Sequence, residues 1–242
     1  MRNIKLTIEY DGTSFSGWQV QPGKRTVQGV LEQKLSEMLE GPVTLHGSGR
    51  TDAGVHAKGQ AANFKTDKTI PVQAFTKGLN AILPRDIAIH DAEEMPEAFQ
   101  ARFDATARMY RYRIVTERSP LAERYAWRMT YQVDTAILHD VAGKLIGKQD
   151  LEAFTCSQAE IDNFVVDVRH SEWKIGDGQY TYVIKADRFL HNLVRILVGT
   201  MVDMARGKID PAAFDAIMRS KDRTKAGKTA PPQGLCLMEV FY

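Results

Sequence analysis

The sequence predicts an α+β fold, and two kinds of pattern lead to that class. Apolar residues recur with helical spacing in several stretches, whereas other stretches alternate apolar and polar residues as strands do. Turn signals such as Gly176-Asp177-Gly178, set between alternating stretches, favour hairpins and therefore antiparallel pairing. Because strands and helices mix throughout the chain, we expect two similar α/β halves with mostly antiparallel sheets.

The first half opens with a predicted strand over residues 4–10, which ends at the turn pair Asp11-Gly12. A loop follows, and then an amphipathic helix with Thr26 as its N-cap and Gly41 as its stop signal. The same periodicities predict the remaining elements of this half: a short strand at Val43 and Leu45, a strand over 60–65, a helix over 72–83 ended by Pro84, and a strand over 87–95.

A boundary near residue 105 divides the chain into predicted domains 1–105 and 106–242. The elements expected in the second half are a strand in which Tyr110, Tyr112 and Ile114 share one face, a helix from the N-cap Asp134 to Gly147, two strands around the 176–178 turn, a buried helix within 189–208, a short helix after Asp210-Pro211, and a final strand over 235–242.

Composition excludes some classes of protein. The chain has 242 residues, 43% of them apolar and 26% charged, which is typical of a globular protein with a sizeable core. Cys156 and Cys236 are too few for a disulfide framework or a four-ligand zinc site. No apolar run approaches the roughly 18 residues of a membrane span, and the first residues alternate like a strand rather than a signal peptide. We therefore expect a cytoplasmic protein with no membrane partner.

The distribution of positive charge is more informative than its total. A formal net charge of +2 does not mark a nucleic-acid-binding protein. Basic residues cluster over 102–118, at Arg188 and Arg195, and over 221–228. In the segment RMYRYR at 108–113, tyrosines alternate with the cations, which favours contact with RNA.

The most unusual segment is LHGSGRTDAGVHAKGQ, residues 45–60, predicted to be a loop between two strands. It lacks the spacing of a phosphate-binding loop. A metal site would use His46, Asp52 and His56, but no typical ligand spacing is present. Two interpretations remain open from the residues alone: an exposed ion pair between Arg50 and Asp52, or a carboxylate nucleophile at Asp52 that Arg50 orients and keeps ionised.

GSGRTDAGVHA resembles the signature of the tRNA pseudouridine synthase A family, whose nucleophilic aspartate lies in a GRTDxGVHA loop. Further motifs resemble that family in the same order along nearly the whole chain: EYDGTSFSGWQVQP at the start, RMYRYRI at 108–114, FLHNLVRILVGTM at 189–201 and PPQGLCL near the end. The resemblance implies that Asp52 is the nucleophile in an isomerisation of uridine that needs no cofactor and no metal. It also implies that Arg50 and Arg195 are partners of that carboxylate.

By the same resemblance, Tyr110 stacks on the target base and assists removal of the C5 proton. The base is expected to be flipped out of the RNA before Asp52 reaches it. Val55 and His56 are expected to shape the substrate pocket. The chemical route stays open among attack at C1′, attack at C6 and a glycal intermediate. Whether Trp18 stacks on RNA or is a buried anchor is also open.

The family acts on uridines 38, 39 and 40 in the anticodon stem-loop of tRNA. The resemblance therefore implies tRNA as the partner and a homodimer as the working unit. It further implies that the two halves join into one continuous sheet with the active-site cleft between them. Two other hypotheses remain: an RNA-binding protein without catalysis, and a metal-dependent nuclease that uses His46, Asp52 and His56.

Overall fold

The structure is a computed structural model that describes residues 1–156 and 162–242. In these residues the strands are β1 (Arg2–Tyr10), β2 (His46–Gly47), β3 (His56–Thr66), β4 (Ile87–Met95), β5 (Ala107–Val115), β6 (Trp127–Arg128), β7 (Gly147–Asp150), β8 (Val165–Gly176), β9 (Gln179–Ala186) and β10 (Leu235–Phe241). The α-helices are α1 (Val27–Leu39), α2 (Val72–Ile82), α3 (Thr135–Gly143), α4 (Leu193–Ala205) and α5 (Phe214–Ser220). None of these helices is both long and apolar enough to span a membrane. Mixed elements with mostly antiparallel pairing confirm the predicted α+β class.

The chain divides into two compact units, one made of Met1–Thr106 with Cys236–Tyr242 and the other of Ala107–Leu235. The last strand thus lies mainly in the first unit, although its place in the sequence groups it with the second half. There β10 pairs in parallel with β3, with Cys236 beside His56.

In the first unit the strand order is β4-β1-β3-β10, and β2 pairs with β3. Ile4 lies opposite Phe64 in the antiparallel pair of β1 and β3. The Phe64 ring meets Phe75 of α2 edge to face, with the ring centroids 5.4 Å apart. Helix α1 contributes Val27, Leu31, Leu35 and Leu39 to this core, as its amphipathic pattern predicts.

In the second unit the strand order is β5-β9-β8-β7, and β6 pairs with β5. The predicted hairpin is present: Asp177 and Gly178 connect β8 to β9 with φ angles of +49° and +69°, as a two-residue type I′ turn requires. The nearly fully buried helix α4 packs against α3, and the indole N–H of Trp173 in β8 contacts the Met201 sulfur at 3.3 Å.

The prediction of a strand at Val43 and Leu45 is wrong, because that segment is tied to a helix. The Val43 N–H donates to the Ser36 hydroxyl at 3.1 Å, and the Leu45 N–H donates to the Glu32 carboxylate at 2.9 Å. Both acceptors are side chains of α1, so strand pairing begins only at β2.

Two predicted helix ends also differ from the structure. Helix α1 ends at Leu39, and the left-handed residue that closes it is Glu40 (φ 52°) rather than Gly41. Helix α3 ends at Gly143 instead of Gly147. Gly147 has a φ of +98° and is the first residue of β7, so its glycine signal marks the entry to a strand.

Candidate active site

The glycine-rich loop joins β2 to β3, as the sequence predicts, and it carries Asp52 in a tight turn. The Asp52 carbonyl accepts a hydrogen bond from the Val55 N–H at 3.1 Å. Between them lies Gly54, whose φ is +77°. A positive φ at the third position is the requirement of a type II turn. The turn leaves the Asp52 side chain half-buried, where a carboxylate can meet a substrate and yet be shielded in part from water.

The loop after β1 holds this turn through the backbone. The Trp18 N–H donates to the Thr51 carbonyl at 3.0 Å, and the Gly54 N–H donates to the Phe15 carbonyl at 3.4 Å. These two bonds bracket Asp52 on both sides in sequence. Because they join segments far apart along the chain, they fix the position of Asp52 against the body of the first unit.

Close approach of the two loops depends on two glycines. A Cβ on Gly12 would lie 2.5 Å from the carbonyl carbon of Val55 and would overlap its oxygen. A Cβ on Gly17 would lie 2.7 Å from the Thr51 carbonyl oxygen, and the φ of Gly17 is +89°. Since backbone atoms cannot move aside as a flexible side chain can, only glycine fits at either position.

Trp18 is a buried anchor of this arrangement. Its side chain is 3% exposed, and a Cβ on Gly47 would lie 2.6 Å from the indole nitrogen. Its ring lies 6.1 Å from the ring of Tyr10, whose hydroxyl is 2.7 Å from that of Thr51. The question left open by the sequence is thereby decided, because a tryptophan enclosed in this way cannot stack on RNA.

The two other predicted pocket residues of this loop, Val55 and His56, are both buried. The Gly12 N–H donates to the Nδ1 atom of His56 at 3.0 Å. Nδ1 also lies 3.2 Å from the Asp11 carboxylate. His56 therefore joins the start of β3 to the loop after β1.

Arg50 lies two residues before Asp52, and its side chain is exposed. Within residues 1–156 and 162–242 its guanidinium forms no hydrogen bond or ion pair. The structure thus contains no ion pair between Arg50 and Asp52. The Arg50 charge is displayed to solvent, where an anionic substrate can reach it.

In the second unit, Tyr110 lies on β5 and is 8% exposed. Its ring meets the ring of Phe189 edge to face, with centroids 4.8 Å apart and an interplanar angle of 72°. Strand β5 holds it opposite Ile184 of β9. A ring fixed on two sides in this way offers a stacking surface at little cost in side-chain entropy.

Arg195 lies in the first turn of α4 and is half-buried. Its Nε donates to the Ala230 carbonyl at 2.9 Å, and its Nη1 donates to the Asn192 side-chain oxygen at 2.7 Å. Asn192 precedes α4 with a left-handed φ of +62°. These two hydrogen bonds orient the guanidinium.

The metal-site interpretation required His46, Asp52 and His56 to converge. Across the part of the chain that the structure describes, no three His, Cys, Asp or Glu side chains form a group able to hold a metal ion. His46 is exposed, whereas His56 is buried and bonded to the Gly12 backbone.

Comparison with known proteins decides the family. A family model described as tRNA pseudouridine synthase matches residues 6–104 and 141–242. The tRNA pseudouridine synthase A of Geobacter sp. (strain M21) is 45% identical over 246 residues, which cover 100% of this chain and 99% of that protein. The chain belongs to the tRNA pseudouridine synthase A family. It is therefore an enzyme of the class that isomerises uridine to pseudouridine in tRNA.

Two further members of the family match along their whole length. The proteins from Geotalea daltonii and Geotalea uraniireducens are 46% and 47% identical over 245 residues, covering 100% of each chain. Among solved structures, a chain from the crystal structure of a Cbf5-Nop10-Gar1 complex aligns with 96% of this chain and 57% of its own length. Its sequence identity is 9% and its TM-score is 0.40, a likeness too remote to support a statement about this chain.

The sequence does not reveal several residues that contact the candidate site residues in the structure. Asn192 is one of them: an asparagine directly before an apolar helix ordinarily indicates an N-cap with extended backbone, whereas Asn192 has a left-handed φ and makes no side-chain cap bond. Phe189, three positions before it, was not connected with Tyr110. The sequence predicts a turn at Gly12 and assigns no role to Gly17, because the contact of both glycines with the 51–55 backbone is a tertiary feature.

Proposed function

We propose that this family member modifies uridines 38, 39 and 40 in the anticodon stem-loop of tRNA, with Asp52 as the nucleophile. The observation that carries the proposal is the placement of Asp52: a half-buried carboxylate in a turn that a second loop holds in position through backbone hydrogen bonds. Such fixed placement suits a reacting group, because orientation supplies much of the rate enhancement of an enzyme.

The reaction conserves every atom of the nucleoside. The bond between C1′ and N1 breaks, the base turns, and a new bond forms between C1′ and C5. The C5 proton leaves and N1 gains a proton, so no oxidant or reductant is consumed. Attack of Asp52 at C1′, attack at C6 and proton abstraction to a glycal each use the same carboxylate in its ionised form.

Tyr110 is proposed to stack on the target base after the base leaves the RNA stem. Flipping a base costs a few kcal/mol, and a rigid aromatic ring offsets part of that cost by stacking. The support for this role is the fixed ring of Tyr110 against Phe189. The Tyr110 hydroxyl is also our candidate for assisting removal of the C5 proton.

The other motif residues are assigned supporting roles in the proposal. Arg195 supplies the positive charge that favours an ionised nucleophile, and Arg50, being exposed, binds the displaced RNA backbone. Val55 and His56, both buried, shape the substrate pocket from within the loop.

We also propose that the protein acts on tRNA in the cytoplasm as a homodimer. Support for the dimer comes from the family resemblance alone. Sedimentation equilibrium of the purified protein at micromolar concentration tests it, and a single species of 27.2 kDa would contradict it.

The function is tested by incubating the protein, in the presence of a chelator, with an unmodified tRNA transcript that carries uridines at positions 38 to 40. We expect pseudouridine at these positions, mapped by chemical labelling and primer extension. A matched transcript with cytidine at the three positions is the control. Conversion that is lost with the chelator, or that occurs only elsewhere in the tRNA, would overturn the proposal.

A second prediction concerns the orientation of Arg195. Lysine at this position keeps the charge but cannot donate to the Ala230 carbonyl and the Asn192 side chain in the same geometry. We expect Arg195→Lys to lower kcat by about 10- to 100-fold, the scale of one or two lost charged hydrogen bonds. Single-turnover kinetics at saturating tRNA measure this effect. A wild-type rate in a correctly folded variant would show that the charge alone is sufficient.

A further inference from the structure

The basic run over residues 221–228 separates into two kinds of side chain. The Lys221 ammonium lies 2.6 Å from the Asp150 carboxylate and 3.2 Å from that of Glu152, and hydrogen bonds to these two groups raise the pKa of Lys221. Arg223 donates to the carbonyls of Ala226 and Gly227 within its own loop. Lys221 and Arg223 are thus engaged in contacts within the protein.

Lys228 is different, because its exposed side chain meets aromatic rings. Its ammonium lies 4.5 Å from the centroid of the Trp127 ring and 3.3 Å from the Tyr131 hydroxyl oxygen. On the same tyrosine, the guanidinium of Arg206 lies 3.9 Å from the ring centroid. Among the described residues neither cation forms an ion pair with a carboxylate. Two positive charges therefore converge on Tyr131 without being neutralised.

The position of Lys228 is fixed by its backbone. Its N–H donates to the Asp203 carboxylate of α4 at 3.2 Å, and the preceding N–H, of Gly227, donates to the Thr200 hydroxyl at 2.9 Å. A Cβ on Gly199 would lie 2.9 Å from the carbonyl carbon of Lys228. The loop thus lies directly on α4, and little conformational freedom of its backbone remains to be lost on binding.

The same loop is joined to Arg195. The Ala230 N–H donates to the Arg195 carbonyl at 3.0 Å, and the Arg195 side chain donates back to the Ala230 carbonyl at 2.9 Å. Lys228 is two residues from this double contact. A group bound at Lys228 would therefore lie on the loop that orients one of the proposed active-site residues.

We propose that Lys228, Arg206 and Tyr131 form a binding site for a backbone phosphate of the tRNA substrate, which deepens the proposed function and rests on it. The ammonium and the guanidinium supply charge and N–H donors. The Tyr131 hydroxyl accepts from Lys228, so its own proton is available to a phosphate oxygen. Trp127 holds the same ammonium over its ring by a cation–π contact.

The test is the salt dependence of tRNA binding. Each phosphate contact contributes about 0.7 to 0.9 to the slope of log Kd against log salt concentration. We expect Lys228→Met, which removes the charge and keeps an unbranched apolar side chain, to lower that slope by about this amount and to weaken binding several-fold at low salt. Tyr131→Phe keeps both charges and should weaken binding several-fold while the slope is preserved.

Lys221→Met is the matched control, because it removes one positive charge of the same run from an internal ion pair. For Lys221→Met, the slope of log Kd against log salt concentration should equal that of the wild type. If Lys228→Met and Lys221→Met show the same slope of log Kd against log salt concentration, and both unfold thermally like the wild type, the phosphate site is overturned. The proposed function still stands in that case, provided that the wild type modifies tRNA. If Lys228→Met does not fold, an unchanged affinity of Tyr131→Phe overturns it. A wild type that neither binds nor modifies tRNA overturns the proposed function, and the site with it.

Discussion

Replacement of Asp52 by asparagine is expected to abolish pseudouridine formation while tRNA binding is retained. The amide has nearly the shape of the carboxylate, so the turn from Asp52 to Val55 should persist. It cannot act as an anionic nucleophile or as a base, whichever of the three routes the reaction takes. Loss of such a group lowers kcat by about 10⁴-fold or more. The measurement is single-turnover conversion of a tRNA transcript, with affinity determined in parallel.

Removing a negative charge also strengthens RNA binding somewhat, so the affinity of the variant needs a charge-matched control. Asp67→Asn provides one, because Asp67 is an exposed carboxylate elsewhere in the same unit. We expect the two variants to bind tRNA within about threefold of each other, since each loses one exposed or half-exposed charge. Substantial turnover by Asp52→Asn would exclude Asp52 as the nucleophile, and full activity of Asp67→Asn is required for the comparison to hold.

The second large effect is expected from Gly12→Ala, although residue 12 belongs to none of the proposed catalytic groups. The added methyl would overlap the Val55 carbonyl, and the overlap can be relieved only by separating the loop after β1 from the turn that carries Asp52. It would also disturb the hydrogen bond from the Gly12 N–H to His56. We expect a loss of about 3 kcal/mol in the free energy of unfolding. We also expect a fall in kcat of at least about 100-fold, since displacement of a reacting group by about 1 Å has that scale.

Gly41→Ala is the matched control, because a Cβ at that position has its nearest neighbour at 4.0 Å. It should leave both the unfolding midpoint in urea and the rate of conversion near their wild-type values. Activity is compared at a temperature where circular dichroism shows Gly12→Ala to be folded, which separates loop displacement from unfolding. A folded Gly12→Ala with wild-type kcat would mean that the contact between the two loops does not position Asp52.

Local patterns predicted the elements that depend on near neighbours in the chain. The alternation over residues 4–10 predicted β1, the spacing of apolar residues after Thr26 predicted α1, and Asp177-Gly178 predicted the β8–β9 hairpin. These patterns succeed because side-chain periodicity and turn chemistry are properties of a few consecutive residues. The prediction of a strand at Val43 and Leu45 was wrong because the conformation of this segment depends on more distant residues. Its backbone N–H groups donate to side chains of α1.

The sequence by itself determined the α+β class and the family motif, and through the resemblance it made Asp52 the candidate nucleophile, because periodicity and a contiguous motif can be read from the order of residues. Only the tertiary structure decided that Trp18 is an anchor, that Gly12 and Gly17 confine the turn that carries Asp52, and that Lys221 contacts carboxylates whereas Lys228 contacts aromatic rings. In each case the deciding partner lies far away in sequence. Burial, close backbone approach and charge pairing depend on distances in space, which residue order alone does not contain.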